Sequence, residues 1–206
     1  MKERKAITAQ NKRLHILGIG GSLRKNSTSL WALERALKAA QAAGATTELL
    51  ALRDLHLPIF DPSQSFEELD TNTKRFLDAV RKADAFIWST PGYHGTIAGV
   101  TKNALDFIEF LSDDPRPYIH NKIVGLIATA GGDLAAVNAV NAMVHVTHAI
   151  RGIPAPLLVA IPQGWKVFDK QGKILEEKWA GRLDQLGPLV VEMAAKFQPT
   201  EKLQKI

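Results

Sequence analysis

Short apolar runs closed by turn signals alternate along this chain with longer stretches of helical spacing. The runs LHILGIG (14–20), TELLAL (47–52), AFIWST (85–90), KIVGLIAT (122–129) and APLLVAI (155–161) each predict a buried strand. Between them, STSLWALERALKAAQAAG (27–44), SFEELDTNTKRFLDAVRKA (65–83), AGVTKNALDFIEFL (98–111) and GDLAAVNAVNAMVHVTHAIRG (132–152) space their apolar residues as helices do, and a further helix is expected over about 176–197. Strands that alternate with helices in this way predict an α/β three-layer sandwich, with a five-stranded parallel sheet covered on both faces. No repeat, low-complexity tract or linker interrupts the pattern. One domain over 14–197 is therefore expected, between a basic tail at 1–13 and a short tail at 198–206.

The 98–111 stretch carries more apolar surface than one sheet contact needs. Val100, Ala104, Leu105, Phe107, Ile108, Phe110 and Leu111 spread over roughly 220° of a helix, against the ~100° that faces a core. A homo-oligomer contact through this helix is the expected cover, with the 112–120 loop as the intrachain alternative.

Charge changes the picture less than the total suggests. The net charge is +5, but residues 1–13 hold five basic groups and one acid, and residues 196–206 hold three basic groups and one acid. The stretch between them is close to neutral, so a basic stripe for nucleic acid is not expected. The 206 residues include no cysteine, which removes disulfides, thiolate metal sites and a cysteine nucleophile. No run approaches the ~20 apolar residues of a membrane span, and nothing near Met1 resembles a signal core. A cytoplasmic protein with no membrane or nucleic-acid partner is expected.

Parallel α/β sheets hold ligands beyond the carboxyl ends of their strands. The loops to inspect are GSLRKNSTS, TPGYHGTIAG and ATAGGDLAA. In the first, Gly20 and Gly21 allow a sharp turn, and Ser22, Ser27, Thr28 and Ser29 supply hydroxyls. Backbone N–H groups at the next helix start favour an anion, and Arg24 suits a phosphate monoester. The alternative is an ordinary hydroxyl cap, which uses one of Ser27, Thr28 or Ser29 and leaves Ser22 and Arg24 idle. No G-x-x-x-x-G-K-[ST] string occurs. A dinucleotide G-x-G-x-x-G falls on Gly18, Gly20 and then Leu23, which lacks the third glycine; Asp54 remains as a possible ribose acid. In the second loop, Pro91 ends the strand, Gly92 and Gly95 permit close backbone approach, and Tyr93 offers an aromatic wall or a packing contact. His94 is a tuner of charge or simply exposed. In the third loop, Ala130, Gly131 and Gly132 follow the fourth strand, where the plain reading is a tight turn capped by Asp133.

STPGYHGTIAGVTKNALDF (89–107) resembles the signature of the NADPH-dependent FMN reductase family, and GSLRKNSTS resembles that family's G-S-x-R-x-x-S segment. The likeness runs over about 14–162, with matching order. It implies a flavodoxin-like fold with strand order 2-1-3-4-5 and FMN as cofactor. It places Ser22, Arg24, Ser27 and Ser29 at the FMN phosphate, and Pro91, Gly92, Tyr93, His94 and Gly95 around the flavin ring. Ala130 to Gly132 fall at the ring's other edge. Many relatives read P-E-Y-N-G where this chain has Gly92 and His94, and often asparagine where Ser29 stands.

The resemblance implies an NAD(P)H oxidoreductase, with NADPH or NADH as donor and a small-molecule acceptor such as flavin, quinone, azo dye, nitroaromatic or chromate. It also implies a homodimer or homotetramer. A flavin that carries the chemistry agrees with the lack of a convincing catalytic acid, base or nucleophile, and no catalytic residue is assigned. A flavodoxin-like electron carrier and a Rossmann-type dehydrogenase are the alternatives. His145 and His148 stand three residues apart without a third ligand, so no metal is assigned. Glu67, Glu68, Asp113 and Asp114 read as solvated charge, and no G-x-S-x-G elbow is present. Trp165, in IPQGWKVFD, is expected to pack against the carboxyl-terminal loop rather than cover a substrate mouth.

Overall fold

In the computed structural model, which describes residues 13–197, every predicted strand and helix has a counterpart. The order is β1 (His15–Gly20), α1 (Thr28–Ala42), β2 (Thr46–Ala51), α2 (Leu52–Leu55), α3 (Thr71–Lys82), β3 (Ala85–Tyr93), β4 (Thr96–Ile97), α4 (Gly99–Asp106), β5 (Ile123–Thr129), α5 (Asp133–Ala149), β6 (Ile153–Ile161), α6 (Gly164–Val167) and α7 (Glu177–Lys196). Of the tail expected at 1–13, residues 1–12 lie outside the described residues, as does the whole tail expected at 198–206.

The sheet runs β2-β1-β3-β5-β6, and each of these neighbours is parallel. Counted among the parallel strands alone, this is the expected order 2-1-3-4-5. Strand alternation divides the core in two. Ile16, Ala85, Ile87, Ile123 and Ile127 face α1 and α7, through Leu33, Leu37, Leu183, Leu186 and Val190. Leu17, Phe86, Trp88, Val124 and Leu126 face the opposite layer, through Phe76, Leu77, Leu105 and Met143 of α3, α4 and α5. Burial on both faces is why these strands read as unbroken apolar runs.

Four details depart from the expectation. A sixth strand, β4, pairs antiparallel with the end of β3 (Gly92↔Ile97, Tyr93↔Thr96), so the sheet has six strands and not five. It was hidden because it is two residues long. The helix expected over 65–83 is split, because the Asp70 carboxylate accepts hydrogen bonds from the N–H groups of Asn72 and Thr73 at 2.8 and 3.1 Å and starts α3 there. Two short helices, α2 and α6, fall where loops were expected.

The fourth departure lies in 98–111. The helix ends at Asp106 and tightens into a 3₁₀ turn over Phe107–Leu111. Phe107, Ile108 and Leu111 are fully buried within the chain. Phe60 meets Phe107 edge-on at 5.5 Å and Phe110 at 5.8 Å. Asn103 fixes that cover: its Oδ1 accepts from the Phe60 N–H at 2.9 Å and its Nδ2 donates to the Pro58 carbonyl at 2.7 Å. Part of the apolar surface is thus covered by the chain itself, Phe60 among its partners, while Val100 and Phe110 stay half-buried.

Candidate functional site

The loops after β1, β3, β5 and β6 converge on one cavity of about 160 Å³ at the carboxyl edge of the sheet. Its wall is formed by Ser22, Arg24, Asn26, Ser27 and Thr28, then Pro91, Gly92 and Tyr93, then Thr129, Ala130 and Gly131, and finally Gly164 and Trp165.

The first loop is held from below. The Gly21 N–H donates to the Ser89 carbonyl at 2.7 Å, and a Cβ on Gly21 would collide with the Thr101 hydroxyl. The Arg24 N–H donates to Ser22 Oγ at 3.2 Å, which curls the loop over the cavity. Ser27 occupies the N-cap position of α1, yet its side chain caps no amide; its hydroxyl pairs with Ser29 Oγ at 2.8 Å. The first turn of α1 also contains no acidic residue. Its amides are therefore left without a side-chain cap, next to three hydroxyls and a guanidinium, which is the donor set of an anion site. Thr28 joins this set from the far side, with its Oγ1 2.8 Å from Thr129 Oγ1 on β5.

Ser29 is placed differently from its neighbours. It is fully buried, its hydroxyl is engaged by Ser27, and its carbonyl accepts from Ser89 Oγ at 2.7 Å. It supports the loop from behind and does not line the cavity. A second buried hydroxyl tie lies beneath: Thr90 Oγ1 and Thr101 Oγ1 are 2.8 Å apart, and Thr101 Oγ1 donates to the Gly21 carbonyl at 3.3 Å. This links the ends of β1 and β3 to the start of α4.

On the second loop, Gly92 is where α5 comes closest. A Cβ there would lie 2.7 Å from the Ala135 carbonyl oxygen and 3.3 Å from Ala130 Cβ. Tyr93 is 43% exposed and stands as a wall. His94 and Gly95 do not line the cavity; they form the turn between β3 and β4, with φ of +49° and +82°. Two consecutive positive φ values are the signature of the tight hairpin turn that asparagine-glycine makes best. Asparagine in place of His94 is expected to stabilise the protein by on the order of 0.5 kcal/mol, raising Tm by about 1–2 °C. A lower Tm in a thermal melt would mean that the imidazole makes contacts of its own.

On the third loop, Ala130 and Gly131 line the cavity and Gly132 does not. Gly132 sits at the N-cap position of α5, so Asp133 is the first helical residue and not the cap. The Asp133 carboxylate instead accepts from Gln163 Nε2 at 2.7 Å, which ties this loop to the one after β6. Trp165, expected to pack, is 67% exposed on the cavity wall. Sequence reading also missed Asn26, Thr129 and Gly164. The available signal was topological: β6 neighbours β5, so its loop must border the same edge.

Asp54 lies outside the cavity, its carboxylate 3.0 Å from Arg53 Nε. His145 and His148 are exposed on α5, and among the described residues no group of three or more histidine, cysteine or carboxylate side chains is placed to hold a metal. Among the described residues, Arg24 and Tyr93 are the titratable side chains on the cavity wall, which no carboxylate, imidazole or thiol lines.

The chain is similar to proteins already known. The profile of the NADPH-dependent FMN reductase family matches residues 14–166. An FMN-dependent NADPH-azoreductase of Staphylococcus haemolyticus is 35% identical over 112 residues, 54% of this chain and 56% of that protein. An NAD(P)H-dependent FMN reductase of Pseudomonas aeruginosa is 27% identical over 169 residues, covering 80% of this chain and 86% of that one. The chain thus spans little more than half of the staphylococcal relative and most of the pseudomonad one. Among solved structures, the flavoenzyme NAD(P)H:(acceptor) oxidoreductase FerB of Paracoccus denitrificans superposes with a TM-score of 0.73 at 22% identity, over 89% of this chain and 98% of that chain. The fold is flavodoxin-like.

Proposed function

The chain belongs to the NADPH-dependent FMN reductase family, whose members are oxidoreductases, and on that premise we propose that its 14–197 domain binds FMN at the convergent loops and transfers electrons from NADPH or NADH to a small acceptor. When bound, FMN supplies the redox chemistry, taking a hydride from the nicotinamide and passing electrons to a flavin, quinone, azo dye, nitroaromatic or chromate acceptor.

The observation that carries this reading is the uncapped start of α1 beside Ser22, Ser27, Thr28 and Arg24. These groups hold the phosphate: the amides and hydroxyls donate, the helix dipole favours the charge, and Arg24 closes the site from the rim. Ser29 keeps Ser27 in place. Pro91, Gly92 and Tyr93 on one side, and Ala130 and Gly131 on the other, bound the space for the ring. His94 and Gly95 hold Tyr93 through their turn, and Gly132 starts α5 beside it. Backbone donors in a rigid hairpin orient a planar ligand without adding charge to it. No helix among the described residues is long and apolar enough to cross a membrane, and we place the reaction in the cytoplasm.

The test is a pair of titrations followed by flavin fluorescence. FMN is expected to bind at least tenfold more tightly than riboflavin, which lacks the phosphate. Arg24→Ala is expected to lose about 1.5–3 kcal/mol of FMN affinity, roughly 10- to 150-fold in Kd, and to change riboflavin binding little. Equal affinities for FMN and riboflavin would remove the phosphate from this loop.

A further inference from the structure

The cavity wall contains one large apolar side chain that the phosphate and ring contacts leave unused. Trp165 is 67% exposed, more than Tyr93 at 43%, although an exposed indole is costly in water. Its backbone is nevertheless held firmly. Gly164, which precedes it, is buried, and the Gly164 N–H donates to the Ala130 carbonyl at 2.9 Å. Gln163 adopts a left-handed backbone, with φ of +45°, to make this turn, and its side chain is anchored on Asp133. The loop thus presents the indole at the cavity from a fixed base. Strand order gives it its place: β3 and β6 flank β5, so Tyr93 and Trp165 rise on either side of Thr129–Gly131.

Arg24 and Lys25 stand in the loop after β1 and Lys166 in the segment after β6, and the Asp133 carboxylate that follows β5 is engaged by Gln163. The Lys166 ammonium stands 4.9 Å from the Trp165 ring centroid. Lys166 is exposed, and an exposed cation–π contact is weak, so the ammonium can leave the indole for an anion carried by a group stacked against the ring.

We propose that Trp165 and Lys166 form a subsite for a planar aromatic group that carries an anion. Trp165 stacks on the aromatic plane, and Lys166 pairs with the sulfonate, carboxylate or phosphate attached to it. This rests on the FMN reductase reading, and it narrows the second ligand of that site to anionic aromatics. Two sources have this chemistry: an aromatic acceptor bearing an acid group, and the adenosine phosphate of the nicotinamide donor.

The experiment uses FMN-loaded protein and equilibrium calorimetry with naphthalene-2-sulfonate, which cannot be reduced, and with neutral 2-naphthalenemethanol. Wild type is expected to bind the sulfonate more tightly than the alcohol. Trp165→Ala should weaken both about tenfold, and Trp165→Phe should restore much of the loss. Lys166→Gln should abolish the preference for the sulfonate alone. Displacement of the probe by adenosine 2′,5′-bisphosphate assigns the subsite to the donor, and its absence assigns it to the acceptor. Unchanged probe binding in Trp165→Ala, or a fall in FMN affinity that accounts for the loss, would overturn the subsite. Failure of wild type to retain FMN at all would instead overturn the functional reading beneath it.

Discussion

Gly92→Glu restores the residue that many relatives carry at this place, and it is expected to cripple this protein. The reason is the approach of α5. Any Cβ at position 92 meets the Ala135 carbonyl oxygen at 2.7 Å, and a backbone atom in the first turn of a helix cannot move aside cheaply. Overpacking of this kind costs about 1–3 kcal/mol, or a Tm lower by roughly 3–10 °C for a chain of this size. Gly92 also lines the cavity, so FMN affinity is expected to fall together with stability. Gly92→Ala is expected to show the same steric loss in both the melting curve and the titration. A Gly92→Glu protein that melts and binds FMN like wild type would show that α5 can retreat from β3, and the contact could not then explain why this chain departs from the family pattern.

Stability is expected to rise between pH 8 and 10.5 because of one buried lysine. Lys122, 3% exposed, sends its ammonium to the C-terminal end of α3, donating to the Val80 carbonyl at 2.9 Å and the Arg81 carbonyl at 3.0 Å. Burial, helped by the nearby charge of Arg116, pushes its pKa down from 10.5 to about 8, against the pull of Asp84 and Asp114. The charged form is thus the costly one in the fold. Below about pH 8 both states are protonated and the full cost is present. As pH climbs to 10.5 the folded lysine loses its proton while the unfolded one keeps it, so the unfolded state binds more protons and stability grows by up to about 3 kcal/mol. Above 10.5 this contribution is constant. Urea titrations from pH 7 to 11 read the slope directly, and Lys122→Met should flatten it. Its absolute stability is a poorer guide, because the substitution also strips two buried carbonyls of their donor. A Lys122→Met protein with the wild-type slope would assign the pH dependence to other groups.

What could be read from the chain follows from what each element needs. The parallel order was legible because strands buried on both faces must be apolar throughout, as Ile16 and Leu17 or Phe86 and Ile87 are on opposite sides of the sheet. β4 was not legible, since two residues carry no period and the positive φ of His94 is a tertiary fact written with an unusual residue. The surplus apolar surface of 98–111 was legible, but the part of its cover that lies within the chain was not: Phe60 sits in an irregular segment whose position depends on the Asn103 side chain and not on any pattern of its own. The hydroxyl run Ser27-Thr28-Ser29 suggested a site in the sequence but could not say which hydroxyl lines the cavity. Helix geometry turns Thr28 toward β5 and buries Ser29 behind Ser27. Trp165 reads in the sequence as packing against the carboxyl-terminal loop, and the position of β6 beside β5 brings it to the wall.

The measurement to make is the visible spectrum of protein loaded with FMN and desalted, followed anaerobically as NADPH and then NADH are added. Flavin that stays with the protein and bleaches within the mixing time of either nucleotide is the result this structure leads us to expect. A desalted protein that has lost its flavin, or that keeps a yellow colour neither nucleotide can bleach, would contradict it.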